Sequence, residues 1–225
     1  MGNGKDVAKY IEHTLLKTDA TPNQVVKLCT EAKEHGFRSV CVCSSYVSLC
    51  KAHLAGSKVR ICSVIGFPLG AMSTQAKVAE TGRAIKDGAD EVDMVLHVGY
   101  LKADDDDYVW HDIAAVVEAA HAHGVLVKVI FETALLTDEQ KRRACALCLK
   151  AGADYVKTCT GFGGGGATVE DIRLMKEEVG DRAGIKAAGG VRDYEKMVAM
   201  INAGATCIGT SSGIAIMQEA AGARA

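Results

Sequence analysis

Basic residues do not outnumber acidic ones in this chain: 26 Lys and Arg stand against 28 Asp and Glu, a formal net charge of −2. Aromatic residues make up only 5% of it, and no cluster of Lys or Arg is interleaved with them, so no nucleic-acid partner is expected. No apolar run approaches the length of a membrane span, so no membrane partner is expected either. The stretch Met1 to Asp19 is too charged and too poor in apolar residues for a secretory signal, which points to a cytoplasmic location. There is no HExxH pair and no pair of CxxC knuckles, so the sequence calls for no metal and no cofactor. Nine cysteines, an odd number, lie mostly inside apolar runs, as small hydrophobes in a reducing compartment do. Cys145 and Cys148 have the CxxC spacing, but they fall in a helical pattern where residues three apart share a face, and they read as core. No linker, low-complexity tract or shift of composition marks a second domain.

What the sequence does hold is 48% apolar residues, enough for a substantial core, arranged in a repeating alternation. Strand-like runs at His13–Leu16, Ser39–Cys43, Val59–Ile65, Glu91–Leu96, Leu126–Phe131, Tyr155–Thr158, Ile185–Ala188 and Cys207–Thr210 are separated by helical patterns. Thr21-Pro22 opens the first helix with a cap and a proline in the first turn. Three strands are entered by closely similar turns, at Gly88, Gly152 and Gly204, where a helix ends at glycine and a strand begins at once. Helical crossovers make neighbouring strands parallel. Eight β-α units in this length predict an α/β fold of one domain, a single (β/α)8 TIM barrel over residues 1–225, with a doubly wound sheet as the alternative.

In such a barrel the residues at the C-terminal ends of the strands carry the chemistry. The sixth run puts Tyr155 and Lys157 on one face and ends in a glycine loop, so the ammonium points into whatever the strand lines. The seventh run carries Lys186, about 5 Å away on the neighbouring strand. The fourth puts Asp93 on the face shared by Glu91 and Val95. Bringing a lysine from about 10.4 to near 7 corresponds to roughly 4.6 kcal/mol. A second ammonium about 5 Å away supplies about 3.3 kcal/mol at an effective dielectric of about 20, and burial can supply the rest. Lys157 is therefore expected to be a neutral amine fit for attack on a carbonyl, tuned by Lys186. The bland alternative keeps both lysines charged against Asp93 and Glu132, with Lys128 and Glu132 as a structural pair on the fifth strand. Gly189-Gly190 ends the seventh strand, and Gly209-Thr210-Ser211-Ser212-Gly213 ends the eighth and opens a helix; free N–H groups there suit a phosphate, unless the serines only cap the helix. The run Gly161 to Gly166 satisfies GxGxxG, but the next strand carries Lys186 where a dinucleotide fold wants an acid, so a flexible loop closing over substrate is expected.

The segments Ile11-Glu12-His13-Thr14-Leu15-Leu16-Lys17, Glu91-Val92-Asp93-Met94-Val95, Val156-Lys157-Thr158-Cys159-Thr160-Gly161-Phe162, Ile185-Lys186-Ala187-Ala188-Gly189-Gly190-Val191-Arg192 and Ile208-Gly209-Thr210-Ser211-Ser212-Gly213 closely resemble those of the deoxyribose-phosphate aldolases, in order from about Tyr10 to Ile216. The resemblance implies a metal-free class I aldolase of the cytoplasm, usually a homo-oligomer (dimer or tetramer). It acts on a phosphorylated sugar and its aldehydes, cleaving 2-deoxy-D-ribose 5-phosphate reversibly to D-glyceraldehyde 3-phosphate and acetaldehyde. By the same match Lys157 would form the Schiff base and Asp93 and Lys186 would move protons. Gly189, Gly190, Gly209, Ser211 and Ser212, with Gly161 at the head of the glycine loop, would hold the substrate and its phosphate. Glu12 stands where the family commonly has Asp, and Phe162 where some members carry a phosphate-contacting lysine. From the residues alone, a non-catalytic barrel for a phosphorylated metabolite gives no use for Lys157 beside Lys186, and an NAD-dependent oxidoreductase rests only on the glycine run.

Overall fold

A computed structural model describes residues 7–223. The ends of the sequence, Met1 to Asp6 and Arg224 to Ala225, lie outside the described residues. Eight strands, β1 (Ile11–Leu15), β2 (Ser39–Val42), β3 (Arg60–Ile65), β4 (Glu91–Val95), β5 (Leu126–Ile130), β6 (Tyr155–Lys157), β7 (Gly184–Ala188) and β8 (Cys207–Thr210), close into a barrel in chain order. Every neighbouring pair is parallel, and β8 returns to β1 through Ile11 opposite Ile208, which excludes the open doubly wound sheet.

The helices that return the chain are α1 (Pro22–His35), α2 (Val47–His53), α3 (Thr74–Asp87), α4 (Val98–Lys102), α5 (Asp106–His121), α6 (Asp138–Ala151), α7 (Val169–Val179), α8 (Tyr194–Ala203) and α9 (Gly213–Gly222). Their ends follow local chemistry. Thr21 and Thr137 form capping boxes with Gln24 and Gln140, which satisfies amides that the first turn would leave open. Gly88 and Gly152 stop α3 and α6 in the left-handed conformation, and Gly204 follows α8 with φ 124°, so the three similar turns do the same work. The sequence pattern did not disclose α4 or the single 3-10 turns at Ser44–Tyr46 and Thr133–Leu135, because three to five residues are too short to show a helical period. Cys145 and Cys148 are buried in α6, as core.

The barrel wall divides its side chains by period two. Val40, Val92, Val127, Val156, Ile185 and Ile208 face outward and join the apolar layer under the helices. The inward face is different: Glu12, Asp93, Lys128, Lys157 and Lys186 are all buried, beside Cys41 and Cys62. Bulky aliphatics fill the inside of most such barrels. Here ion pairs do.

Candidate active site

The interior is a column of charge that begins at the lower rim. Glu91 accepts from Arg38 at 2.8 Å, Arg60 at 3.0 Å and Lys128 at 2.6 Å. Burial alone would raise its carboxyl, but Lys128 and Arg38 outweigh that and bring it down to about 2. Above it, Lys128 reaches Glu12 at 3.3 Å and Asp93 Oδ1 at 2.9 Å. Asp93 is the hub. Its Oδ1 also accepts from the Cys62 thiol at 3.1 Å, and its Oδ2 accepts from Lys157 at 2.7 Å and from Lys186 at 2.6 Å. The other side of Lys186 touches Glu12 Oε1, whose second oxygen accepts from the Ser39 hydroxyl at 2.7 Å.

Strand register makes this geometry. Lys157 and Lys186 are direct partners across β6 and β7, and Asp93 and Lys128 are direct partners across β4 and β5. The side chains therefore meet on the barrel axis without any loop having to place them. Acids and thiols come from consecutive strands, Glu12 on β1, Cys41 on β2, Cys62 on β3 and Asp93 on β4, and the three lysines come from the next three. The first four put possible metal-ligating atoms within 4.8 Å of one another, a cluster with no spacing motif because each strand supplies one residue. Lysine ammoniums already stand where a cation would, since Lys128 lies 3.4 Å from Cys62 Sγ and bonds both carboxylates.

Protons are held differently from the sequence expectation. Burial pushes Lys157 down, but Asp93 beside it more than compensates, and its pKa is raised rather than lowered. Lys128 is likewise pushed down by burial but held well above the ordinary lysine value, with Asp93 the foremost counter-charge. Lys186 is the one that falls, to about 8, because burial dominates. The repulsion argument gave too little weight to the carboxylate between the two ammoniums; for Lys157 the alternative of a lysine held charged by Asp93 is the one that holds. The expected pair of Lys128 with Glu132 does not form. Glu132 lies past the end of β5 with a left-handed backbone, φ 57°, and its carboxylate takes the Thr160 hydroxyl and, at 3.3 Å, the Thr160 N–H.

A cavity of about 230 Å³ opens above the column at the C-terminal ends of the strands. Of the three strand lysines Lys157 alone lines it; Lys128 and Lys186 are sealed below. Gly161, Gly189, Gly190, Gly209 and Ser211 line the same cavity, whereas Asp93 lies beneath it and Ser212 faces an adjoining groove. Gly189 and Gly190 both have positive φ, 94° and 70°, a turn that glycine makes without strain, and both line the space above Lys157. Ser212 occupies the N-cap of α9 but makes no side-chain capping bond, so the bland reading of that serine fails. The glycine loop is seated rather than free. A Cβ at Gly163 would lie 2.4 Å from Glu132 Cδ, and one at Gly165 would lie 2.2 Å from Ala134 Cβ, so glycine permits close backbone approach there.

Sequence reasoning did not single out Glu12, Arg38 or Cys62 as parts of the site. Glu12 was legible in principle, because it shares a strand face with Thr14 and is the one carboxylate in that strand. Arg38 precedes β2 and gave no such signal.

Comparison with known proteins bears on the same residues. A family model described as "DeoC/LacD family aldolase" matches residues 7–219. The chain is 60% identical over 212 residues to deoxyribose-phosphate aldolase 1 of Oceanobacillus iheyensis, covering 94% of this chain and 96% of that one. It is 56% identical over 219 residues to deoxyribose-phosphate aldolase of Thermococcus gammatolerans, covering 96% and 97%. Among solved structures, a putative deoxyribose-phosphate aldolase from Coccidioides immitis superposes with a TM-score of 0.94 at 42% identity, over 98% of this chain and 87% of that one. A tetrameric deoxyribose phosphate aldolase from Aeropyrum pernix gives 0.92 at 32% identity, over 97% and 92%. With a matching family model across nearly all of its length and relatives more than half identical to it, this barrel with a lysine at its mouth is an aldolase of the DeoC/LacD family.

Proposed function

We propose that the chain, acting as a single barrel domain, reversibly cleaves 2-deoxy-D-ribose 5-phosphate to D-glyceraldehyde 3-phosphate and acetaldehyde through an imine on Lys157. The observation that carries this reading is that Lys157 alone of three strand lysines reaches the cavity, while its ammonium is bonded to the carboxylate that also holds Lys186. The deoxyribose-phosphate aldolases to which it is similar support the choice of substrate.

Attack on the sugar carbonyl requires a neutral Lys157, and in the resting site that amine carries a tightly held proton. Oδ2 of Asp93 accepts from both ammoniums; once Lys186, whose pKa of about 8 makes its proton the more easily lost, has given it up to solvent, a proton leaving Lys157 passes through that one oxygen to the neutral Lys186 amine. The amine adds to the carbonyl, water leaves, and the resulting iminium draws the electrons of the C2–C3 bond as the 3-hydroxyl gives up its proton. Glyceraldehyde 3-phosphate departs, the enamine is protonated at C2, and water releases acetaldehyde. The Gly189–Gly190 turn and the Gly209 and Ser211–Ser212 segment hold the phosphate through N–H groups and hydroxyls, which keeps the carbonyl over the amine. The three ammoniums and the carboxylates supply the charges for these steps, so the proposal assigns no metal or cofactor.

A homo-oligomer is proposed on the likeness to the tetrameric Aeropyrum pernix protein, and a cytoplasmic location on nine free thiols, eight of them buried. No helix among the described residues is long and apolar enough to cross a membrane. Borohydride reduction in the presence of deoxyribose 5-phosphate, followed by peptide mass mapping, tests the reading. A reduced adduct is expected on Lys157. A folded protein that yields no adduct would leave a barrel that binds phosphorylated metabolites without imine chemistry.

A further inference from the structure

Glu132 is a buried acid without a counter-charge. It is 4% exposed, and its backbone lies in the left-handed region, φ 57° and ψ 60°, which a residue other than glycine rarely takes. A buried carboxylate needs a cation or several donors. Among the described residues no ion pair reaches Glu132 and its Oε1 has no hydrogen-bond partner, while Oε2 takes the Thr160 hydroxyl and, at 3.3 Å, the Thr160 N–H. A small space of about 130 Å³ beside it is walled mainly by apolar residues, Pro68, Leu69, Val95, Val98 and Leu135 among them, and no basic side chain lines it. Every hydrogen bond to this carboxylate therefore comes from Thr160.

Thr160 also lines the cavity over Lys157. A hydroxyl has one proton and two lone pairs. The Thr160 proton goes to Glu132 and one lone pair takes Phe162 N–H at 3.0 Å, so a single acceptor position is left. Acceptors are what the cavity is short of. Its charged side chains, Lys17, Lys157 and Arg192, can only donate when charged, and no carboxylate lines it. Thr14 and Thr210 line it too, but their hydroxyls donate to the backbone carbonyls of Glu12 at 3.0 Å and Val191 at 2.6 Å. Thr160 donates to a carboxylate, which polarises its oxygen further and makes it the stronger acceptor.

We propose, on the imine reaction set out above, that Glu132 is a positioning residue for it. By holding the Thr160 proton it fixes that hydroxyl as an acceptor in the cavity, and the group that donates there is the 3-hydroxyl of the bound sugar. This is the hydroxyl whose proton must leave as the C2–C3 bond breaks, so an acceptor already in place orients its O–H for that step. Without the carboxylate Thr160 can turn its own proton into the cavity instead.

Two activities of the whole chain test this. Cleavage of deoxyribose 5-phosphate needs the sugar hydroxyl; exchange of the methyl hydrogens of acetaldehyde with D2O needs the Lys157 imine and its enamine but no such hydroxyl. Glu132→Leu removes the partner of Thr160, and Glu132→Gln takes its place if melting shows that the leucine variant is unfolded. kcat/KM for cleavage is expected to fall about tenfold or more in Glu132→Leu and severalfold in Glu132→Gln, with exchange kept within about twofold of the natural chain. Once Thr160→Val has been made, the same change at Glu132 should cost nothing further, because the hydroxyl it orients is gone. Losses that multiply in the double variant, or exchange that falls together with cleavage, would make Glu132 a support of the glycine loop and overturn the proposal. Unchanged cleavage would overturn it as well. Absence of exchange in the natural chain would overturn the imine reading itself, and the role of Glu132 with it.

Discussion

Replacing Asp93 by asparagine keeps the shape of the hub and removes its charge. Lys157 lies 2.7 Å from Asp93 Oδ2, and at an effective dielectric of about 20 that contact is worth roughly 6 kcal/mol, or about four pKa units. The Lys157 amine, now pushed only by burial and by the neighbouring ammoniums, should release its proton several units lower. Reductive trapping of acetaldehyde as a function of pH reads this directly, since only the neutral amine forms the imine. Turnover should fall steeply at every pH, because the path from Lys157 to Lys186 runs through the oxygen that has lost its charge. A more reactive lysine in a less active enzyme is the signature expected of Asp93→Asn. The reasoning is refuted if the trapping midpoint stays where it is in the natural chain, or if turnover survives.

The depressed Lys186 should appear as a rising limb of kcat/KM centred near pH 8, since its neutral form takes the proton and that form vanishes as pH falls; at pH 6 about 1% of it remains. Lys186→Leu should lower kcat/KM by about a hundredfold or more and abolish that limb, and an unchanged midpoint in the variant would assign the limb elsewhere. Gly163→Ala drives a Cβ into Glu132, so about 1–3 kcal/mol of stability should be lost, with a raised KM from the displaced loop, measurable by urea melting and steady-state kinetics. Far from the cavity, Lys77 on α3 is fully buried and bonded to Asp112 on α5 at 2.5 Å; Lys77→Met leaves a buried carboxylate unpaired and should cost about 3–5 kcal/mol with little change in KM of the folded fraction.

Much of the barrel could be read before any coordinates, for physical reasons that particular residues illustrate. Glycine at Gly88, Gly152 and Gly204 marks helix ends because a left-handed or near-left-handed residue is needed there, and each strand that follows starts three residues later. The pairing of Lys157 with Lys186 was also accessible, since adjacent parallel strands and period two bring them face to face. Depth was not accessible. Sequence distance does not say that Lys186 is sealed below the cavity while Lys157 opens into it, nor that one carboxylate bridges them and reverses which lysine holds its proton loosely. Glu132 misled for a related reason: alternation placed it on the lysine face, but its own left-handed backbone, two residues beyond the β5 end, took it to the glycine loop instead.

The order in which the charges around Asp93 appear along the chain bears on how it acquires its form. Arg38 and Arg60 can meet Glu91 within the first half of the chain, but Asp93 on β4 takes its ammoniums only from Lys128, Lys157 and Lys186 on β5 to β7. That carboxylate stays hydrated until the second half arrives, because a half-barrel that buried it would have no ammonium to meet it. Closure of the cylinder and assembly of the catalytic lysines are then one event. Recovery of activity during refolding should keep step with the final docking of the two halves and lag behind formation of the helices.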